Sequence, residues 1–215
     1  MSTLLHSGQG NATPRERPAD LDRRRSRSLV SRQALVAAAI RSISENGLAE
    51  TTLASVSALS GLSRSLVAFH FESKDSLIRA ALVEANRLYD ACWRKALDGA
   101  GTSPRARLTA AIRHDIGFAE HHAELLHVWF AIWGEAQAHT IYRELALPMD
   151  RRYLAELTAF ARASGLAARA AQDAGRTINS FLYGSWLEAH LDPESFDAKR
   201  TTRAGLSLLE ALVPA

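Results

Sequence analysis

Cysteine is nearly absent from these 215 residues, with Cys92 alone, so no internal disulfide can form and a small oxidised secreted scaffold is excluded. The lone thiol fits a reducing cytoplasm and reads as a small, buried or half-buried helix residue. Period-two alternation between hairpin turns is missing, so strands are not expected. No apolar run approaches the ~18 residues that span a membrane. The first residues do not read as a secretory signal, because Leu4-Leu5 is too short for an apolar stretch and Arg-rich polar sequence follows. Catalytic signatures are missing as well: there is no G-x-S-x-G, no Walker loop, no G-x-G-x-x-G behind a strand and no H-E-x-x-H. The chain is therefore not read as an enzyme, and no cofactor is expected.

What remains is helix. An apolar fraction of 47% suits a globular chain with a sizeable core, of a length for one domain or a small head on a larger body. The charge is unevenly placed. Residues 1–80 carry eleven Lys/Arg against seven Asp/Glu, and residues 81–215 carry fifteen against sixteen. The whole positive excess lies in the first part, densest at Arg23, Arg24, Arg25 and Arg27, where phosphates would be met. Residues 1 to about 27 mix Ser, Thr, Gly, Pro and Arg with few aliphatics, and are expected to be mobile. A solvated basic tail and a DNA-contacting arm are compatible readings of that run.

From Ser31, Leu35, Val36, Ala39, Ile40 and Ile43 form one helical stripe that ends at Asn46-Gly47. Leu53, Val56 and Leu59 then recur at intervals of three before Gly61, the residue that most readily takes the left-handed turn. Ser63 can cap a second short helix whose Leu66, Val67 and Phe71 are apolar and whose Arg64, Ser65 and His70 are polar. Two short helices around a tight turn make a helix-turn-helix, whose second helix can enter a DNA major groove. Ser73 looks like the cap of a long fourth helix to about Leu97. Beyond the Gly99–Pro104 break, helices are read at about 104–119, 123–137, 140–163, 168–190 and 196–212, with Pro148 kinking or splitting the third. The fold expected is all-α with about nine helices: a flexible basic arm (1–28), a three-helix head (29–76, motif about 52–71) and a larger helical body (77–215).

The stretch from Thr52 to Leu77 resembles the DNA-binding head of the TetR family of bacterial regulators. Thr52, Val56, Gly61, Leu62, Ser63, Val67, Phe71, Lys74 and Leu77 stand on its matching positions. Ser57 and Ser60 replace two alanines, Ser65 a glycine, and Ala68 and His70 two tyrosines. The resemblance implies that Arg64, Ser65, Leu66 and Phe69 face base edges, with Arg64 able to grip guanine in a bidentate manner. It places Thr52, His70 and Lys74 at phosphates, with Ser63 at the helix start and Arg25 and Arg27 in the arm as further DNA contacts.

The body resembles the BetI-type branch of that family through Trp129, Ala131, Trp133, Tyr142, Arg143, Gly184, Trp186 and Leu187. That resemblance implies a ligand-released repressor, with choline or another small cation held among Trp129, Trp133, Tyr142, Phe181, Tyr183 and Trp186, since aromatic faces attract quaternary ammonium groups. An aromatic stripe of this kind is also what a plain core or subunit interface would show. Tyr183 occupies the place where an acidic residue often precedes the glycine, and Glu135 or Glu188 could supply the countercharge instead. A homodimer reading a near-palindromic duplex is implied, packed through the last two helices with Ala171, Ala174, Leu206, Leu209 and Leu212 at the contact.

Two other readings stay open. One is a regulator of an efflux or catabolic operon with a hydrophobic effector. The other is a helical protein that binds a partner or a membrane surface through its basic tail. His114, His121, His122, His127 and His139 cluster in sequence, but His122 and His127 lie about 140° apart round a helix, so no metal site is expected.

Overall fold

The computed structural model describes residues 18–135 and 140–213, and among them nine α-helices and no strand. The head comprises α1 (Pro18–Glu50), α2 (Leu53–Ser60) and α3 (Arg64–His70), and α4 (Lys74–Gly99) connects it to the body. The body consists of α5 (Pro104–His121), α6 (Ala123–Gly134), α7 (Leu147–Ala163), α8 (Ala168–Leu191) and α9 (Ala198–Leu212). His139 and the residues before Pro18 lie outside the described residues.

Local chemistry sets the boundaries. Thr52 caps α2 by accepting the Ser55 amide while the Ser55 hydroxyl accepts from the Thr52 amide. Gly61 closes the helix at φ 69°, a conformation that costs other residues a Cβ clash. Ser63, Ser73, Ser103 and Asp197 cap α3, α4, α5 and α9 in the same way, each satisfying an amide with no helical partner. Gly47, at φ 77°, breaks the end of α1, and the buried Thr51 hydroxyl donates to its carbonyl while sharing a hydrogen bond with Ser42.

The stripe from Leu35 to Ile43 is buried against Val56, Val67, Phe71, Leu77 and Ile78, so the head shares its core with the start of α4. In the body α5 is central, packed against α4, α7, α8 and α9, while α6 lies on both α1 and α8. Gly175 permits the closest approach of α7 to α8: a Cβ there would stand 2.4 Å from the Thr158 hydroxyl.

Several expectations are corrected. Helix α1 begins at Pro18, so the part of the basic arm from residue 18 is helical and continuous with the head. Pro18 at its first position and Asp20 and Asp22 just inside it are helix-start signals. The segment expected at 140–163 is divided. A π-helical turn, Tyr142–Ala146, precedes α7, with the Leu147 amide reaching the Tyr142 carbonyl five residues back. Pro148, which has no N–H for the carbonyl of residue 144, sits in the first turn of α7. Leu59 and Cys92 are exposed.

The alanine face of α8 is also corrected. Ala171 and Ala174 are buried within the single chain, where α8 packs on α7, so they have no surface left for a second subunit. Leu209 is buried in the same way, and α9 packs on α5 and α8. Leu206 and Leu212 are half-buried against the core.

Candidate nucleic-acid interface and body cavity

On α3, Val67 and the following Phe71 anchor the inner side, while Arg64, Ser65, Ala68 and Phe69 are exposed together on the outer side. Leu66 is half-buried between them. Ser63 spends its hydroxyl on the Leu66 amide and a 3.0 Å contact with Ser65. Thr52 is exposed, but its hydroxyl is engaged by the cap. The Lys74 ammonium, at the first position of α4, donates to the Ala49 carbonyl at 2.9 Å, which ties the end of α1 to the start of α4. One imidazole nitrogen of His70, Nε2, is buried with no partner. Arg25 and Arg27 are exposed and, with Arg24, Leu29, Leu66, Phe69 and His70, wall an open groove of about 690 Å³ between the first turns of α1 and α3.

In the body the rings of Trp129, Trp133, Tyr183 and Trp186 meet, as the sequence pattern suggests. They line a tight cavity of about 30 Å³ together with Tyr89, Trp93, Asp115, Asp150 and Tyr153. That is room for about two waters. Tyr142 stands at its edge, donating with Tyr183 to the Asp150 carboxylate. Phe181 points elsewhere: its ring fills the space that Gly205 leaves on α9, within 2.9 Å of where a Cβ would be.

The sequence reading missed Tyr89, Trp93 and Tyr153, and above all the two acids. Helical periodicity marks them as inward-facing at best, and cannot show that α4, α5 and α7 converge. Asp115 accepts the hydroxyl of the fully buried Tyr89, and its backbone carbonyl accepts the Trp186 indole at 3.1 Å. Burial pushes the Asp150 carboxyl up from 3.8 to about 6, against the two tyrosine hydroxyls that pull it back. The candidate countercharges are not there: Glu135 and Glu188 are exposed, and Glu188 lies 3.8 Å from Arg200.

Helix α4 is fastened to this cavity on three sides. Asn86 accepts the Trp129 indole at 2.9 Å from α6. Tyr89 reaches Asp115 on α5. Trp93 donates to Glu156 at 2.8 Å, and Asp90 pairs with Arg152 and Tyr153, all on α7. A larger, open cleft of about 490 Å³ lies where α1, α4 and α6 meet, with Arg32, Arg41, Arg79, Glu84 and Glu124 on its rim. It marks the junction of head and body and contains none of the aromatic groups. Among the described residues no three His, Cys, Asp or Glu side chains gather as a metal would require, and no helix is long and apolar enough to cross a membrane.

Comparison with known proteins decides what this assembly is. Residues 35–81 match the bacterial regulatory proteins of the tetR family, and residues 104–214 match the C-terminal domain of BetI-type transcriptional repressors. The chain belongs to the TetR family, in its BetI-type branch. It is 30% identical over 185 residues to the HTH-type transcriptional regulator BetI of Burkholderia thailandensis, covering 86% of this chain and 94% of that protein. It is likewise 30% identical over 186 residues to that regulator in Paraburkholderia phymatum, covering 86% and 93%. A transcriptional regulator from Saccharomonospora viridis, solved in complex with choline, superimposes with a TM-score of 0.75 at 16% identity over 85% of this chain and 96% of its own. One from Pseudomonas aeruginosa gives 0.74 at 23% identity, over 84% and 89%. This TetR-family chain is a DNA-binding transcriptional regulator.

The raised Asp150 carboxyl has a consequence for stability. The folded chain holds that proton more tightly than the unfolded chain between about pH 4 and 6. The stability it contributes is complete below about 3.8 and is lost as pH rises through about 6. Asp150→Asn is expected to stabilise the ligand-free protein at pH 7.5 by up to about 3 kcal/mol. The gain should shrink as pH falls from 6 to 4 in denaturant titrations; a gain independent of pH contradicts the assignment.

Proposed function

We propose that this regulator is a repressor that binds a near-palindromic operator as a homodimer in the cytoplasm and is released from it by a small organic cation of the choline type. The observation that carries the reading is Asp150, a half-buried, largely desolvated carboxylate on the wall of the cavity that Trp129, Trp133, Tyr183 and Trp186 line. A buried acid without a counter-cation is costly, and indole faces attract quaternary ammonium groups. A cation in that cavity satisfies both. The choline held by the Saccharomonospora viridis protein supports the same chemistry in a body of this fold.

With only about 30 Å³ free, the cavity has to widen before such a cation fits. Its walls include Tyr89 and Trp93 of α4, so widening displaces the helix that begins at the head. The ligand changes DNA affinity only by preferring the displaced arrangement. In the duplex, α3 lies in the major groove, with Arg64 offered to guanine and with Lys74, Thr52, Arg25 and Arg27 near phosphates. The outer faces of α8 and α9 supply the dimer contact, where Leu187 and Leu191 remain exposed and Leu206 and Leu212 stand at the margin.

The test uses a duplex enriched by the full chain from a random-sequence pool. Sedimentation should show two chains, or a multiple of two, per duplex. Choline should release them, and Asp150→Asn should bind the duplex but resist release. Release by the uncharged isostere 3,3-dimethylbutanol as effective as that by choline would refute the cation reading. In the same assay Lys74→Ala should weaken binding to every duplex about equally and lower the salt slope by about one. A loss confined to the enriched sequence would remove Lys74 from the phosphates.

A further inference from the structure

Helix α3 presents an outer face that is unusually apolar for a DNA reader. Of its four exposed residues, Arg64 alone is charged, Ser65 is small, and Ala68 and Phe69 bear only hydrocarbon. Phe69 is 74% exposed, although its neighbours Val67 and Phe71 are deep in the head core. The one ring it touches on the helix is His70, edge-on at 5.0 Å. Leaving a phenyl ring in water forfeits the stabilisation that burial would give, and Phe69 props up no part of the head. Ser65 and Phe69 are four residues apart, so they point the same way from the helix, and Ala68 sits beside them one turn after Arg64. The groove behind Phe69, walled by Arg24, Arg25 and Arg27 of α1, places basic side chains beside this face, where a phosphate strand flanking the major groove would run.

Among the groups that the major groove displays, one is apolar: the C5 methyl of thymine. From this we infer that Phe69, with Ala68 at its side, packs on a thymine methyl in each half of the operator and is the main sequence-discriminating residue alongside Arg64. The inference rests on α3 occupying the major groove. Hydrogen-bond readout falls to Arg64 and Ser65, and apolar readout to Phe69. The sites this chain selects then contain an invariant thymine in each half, besides the base read by Arg64.

Uracil is thymine without that methyl, so it isolates the contact while preserving every hydrogen bond. The probe is the duplex enriched by the full chain from a random-sequence pool, compared with the same duplex carrying deoxyuridine for every thymine. Burying one methyl changes affinity about fourfold, so the wild-type chain should lose about fifteenfold with one contacted thymine per half. Phe69→Ala should bind the thymine duplex more weakly and the uracil duplex about as the wild type does. Ser65→Ala, on the same face, should keep the wild-type thymine preference. Because Phe69 is exposed, the variant should retain the wild-type unfolding midpoint. Equal wild-type affinity for the two duplexes overturns the proposal while leaving the groove docking intact, as does a thymine preference that survives Phe69→Ala. If no sequence is enriched from the pool, the docking fails, and the proposal with it.

Discussion

The hydroxyl of Tyr89, donated to the buried carboxylate of Asp115, is the contact around which this regulator is built. Tyr89 lies on α4, and its ring is packed edge-on against His114, Phe118, Trp129, Tyr153 and Trp186 and stacked on Trp93. Burial holds the phenol protonated, with its pKa raised well above the ordinary value, so it remains a donor to an acid that would otherwise be stranded in hydrocarbon. One interaction therefore fixes the helix that leaves the head, the central helix of the body and the wall of the cavity.

The arrangement links the cavity among the indole rings to the helix proposed to enter a DNA groove. Helix α4 is a rod of 26 residues, about 39 Å long. Its first turn carries Leu77 and Ile78 in the core shared with the head, and its middle carries Asn86, Tyr89 and Trp93 at the cavity. Packed interiors shift between discrete arrangements more readily than they deform. A second link runs through α6: Trp129 faces the cavity, while His127, two residues earlier, meets Ser44 of α1 at 3.1 Å. Both routes pass from the aromatic cavity to the head without crossing a loop.

Much of this was legible in the sequence. The helix-turn-helix, its caps at Thr52 and Ser63 and the αL turn at Gly61 rest on local chemistry, and local chemistry is what residue spacing reports. The indoles of Trp129, Trp133 and Trp186 were recognisable because large aromatics at helical spacing must gather somewhere. The acids were not: Asp115 and Asp150 look like ordinary surface charges until α5 and α7 are placed face to face. The alanines of α8 misled for a related reason. Small residues announce a close helix neighbour, but Ala171, Ala174 and Gly175 cannot say whether it is a partner subunit or α7 of the same chain. The basic arm misled through composition, since its polarity hid the Pro18 start of a helix whose apolar stripe begins only at Leu35.

The central claim is that filling the aromatic cavity moves the head relative to the body through α4. Its most direct test is a distance between spin labels at Ala58→Cys in α2 and Ala159→Cys in α7, both exposed, in a Cys92→Ser background. Labelled chains are diluted with unlabelled ones so that each assembly carries a single pair. Saturating choline should shift the distance distribution in this chain and leave it unchanged when Asp150→Asn is added. Release of DNA by choline with no change in that distance would contradict the claim.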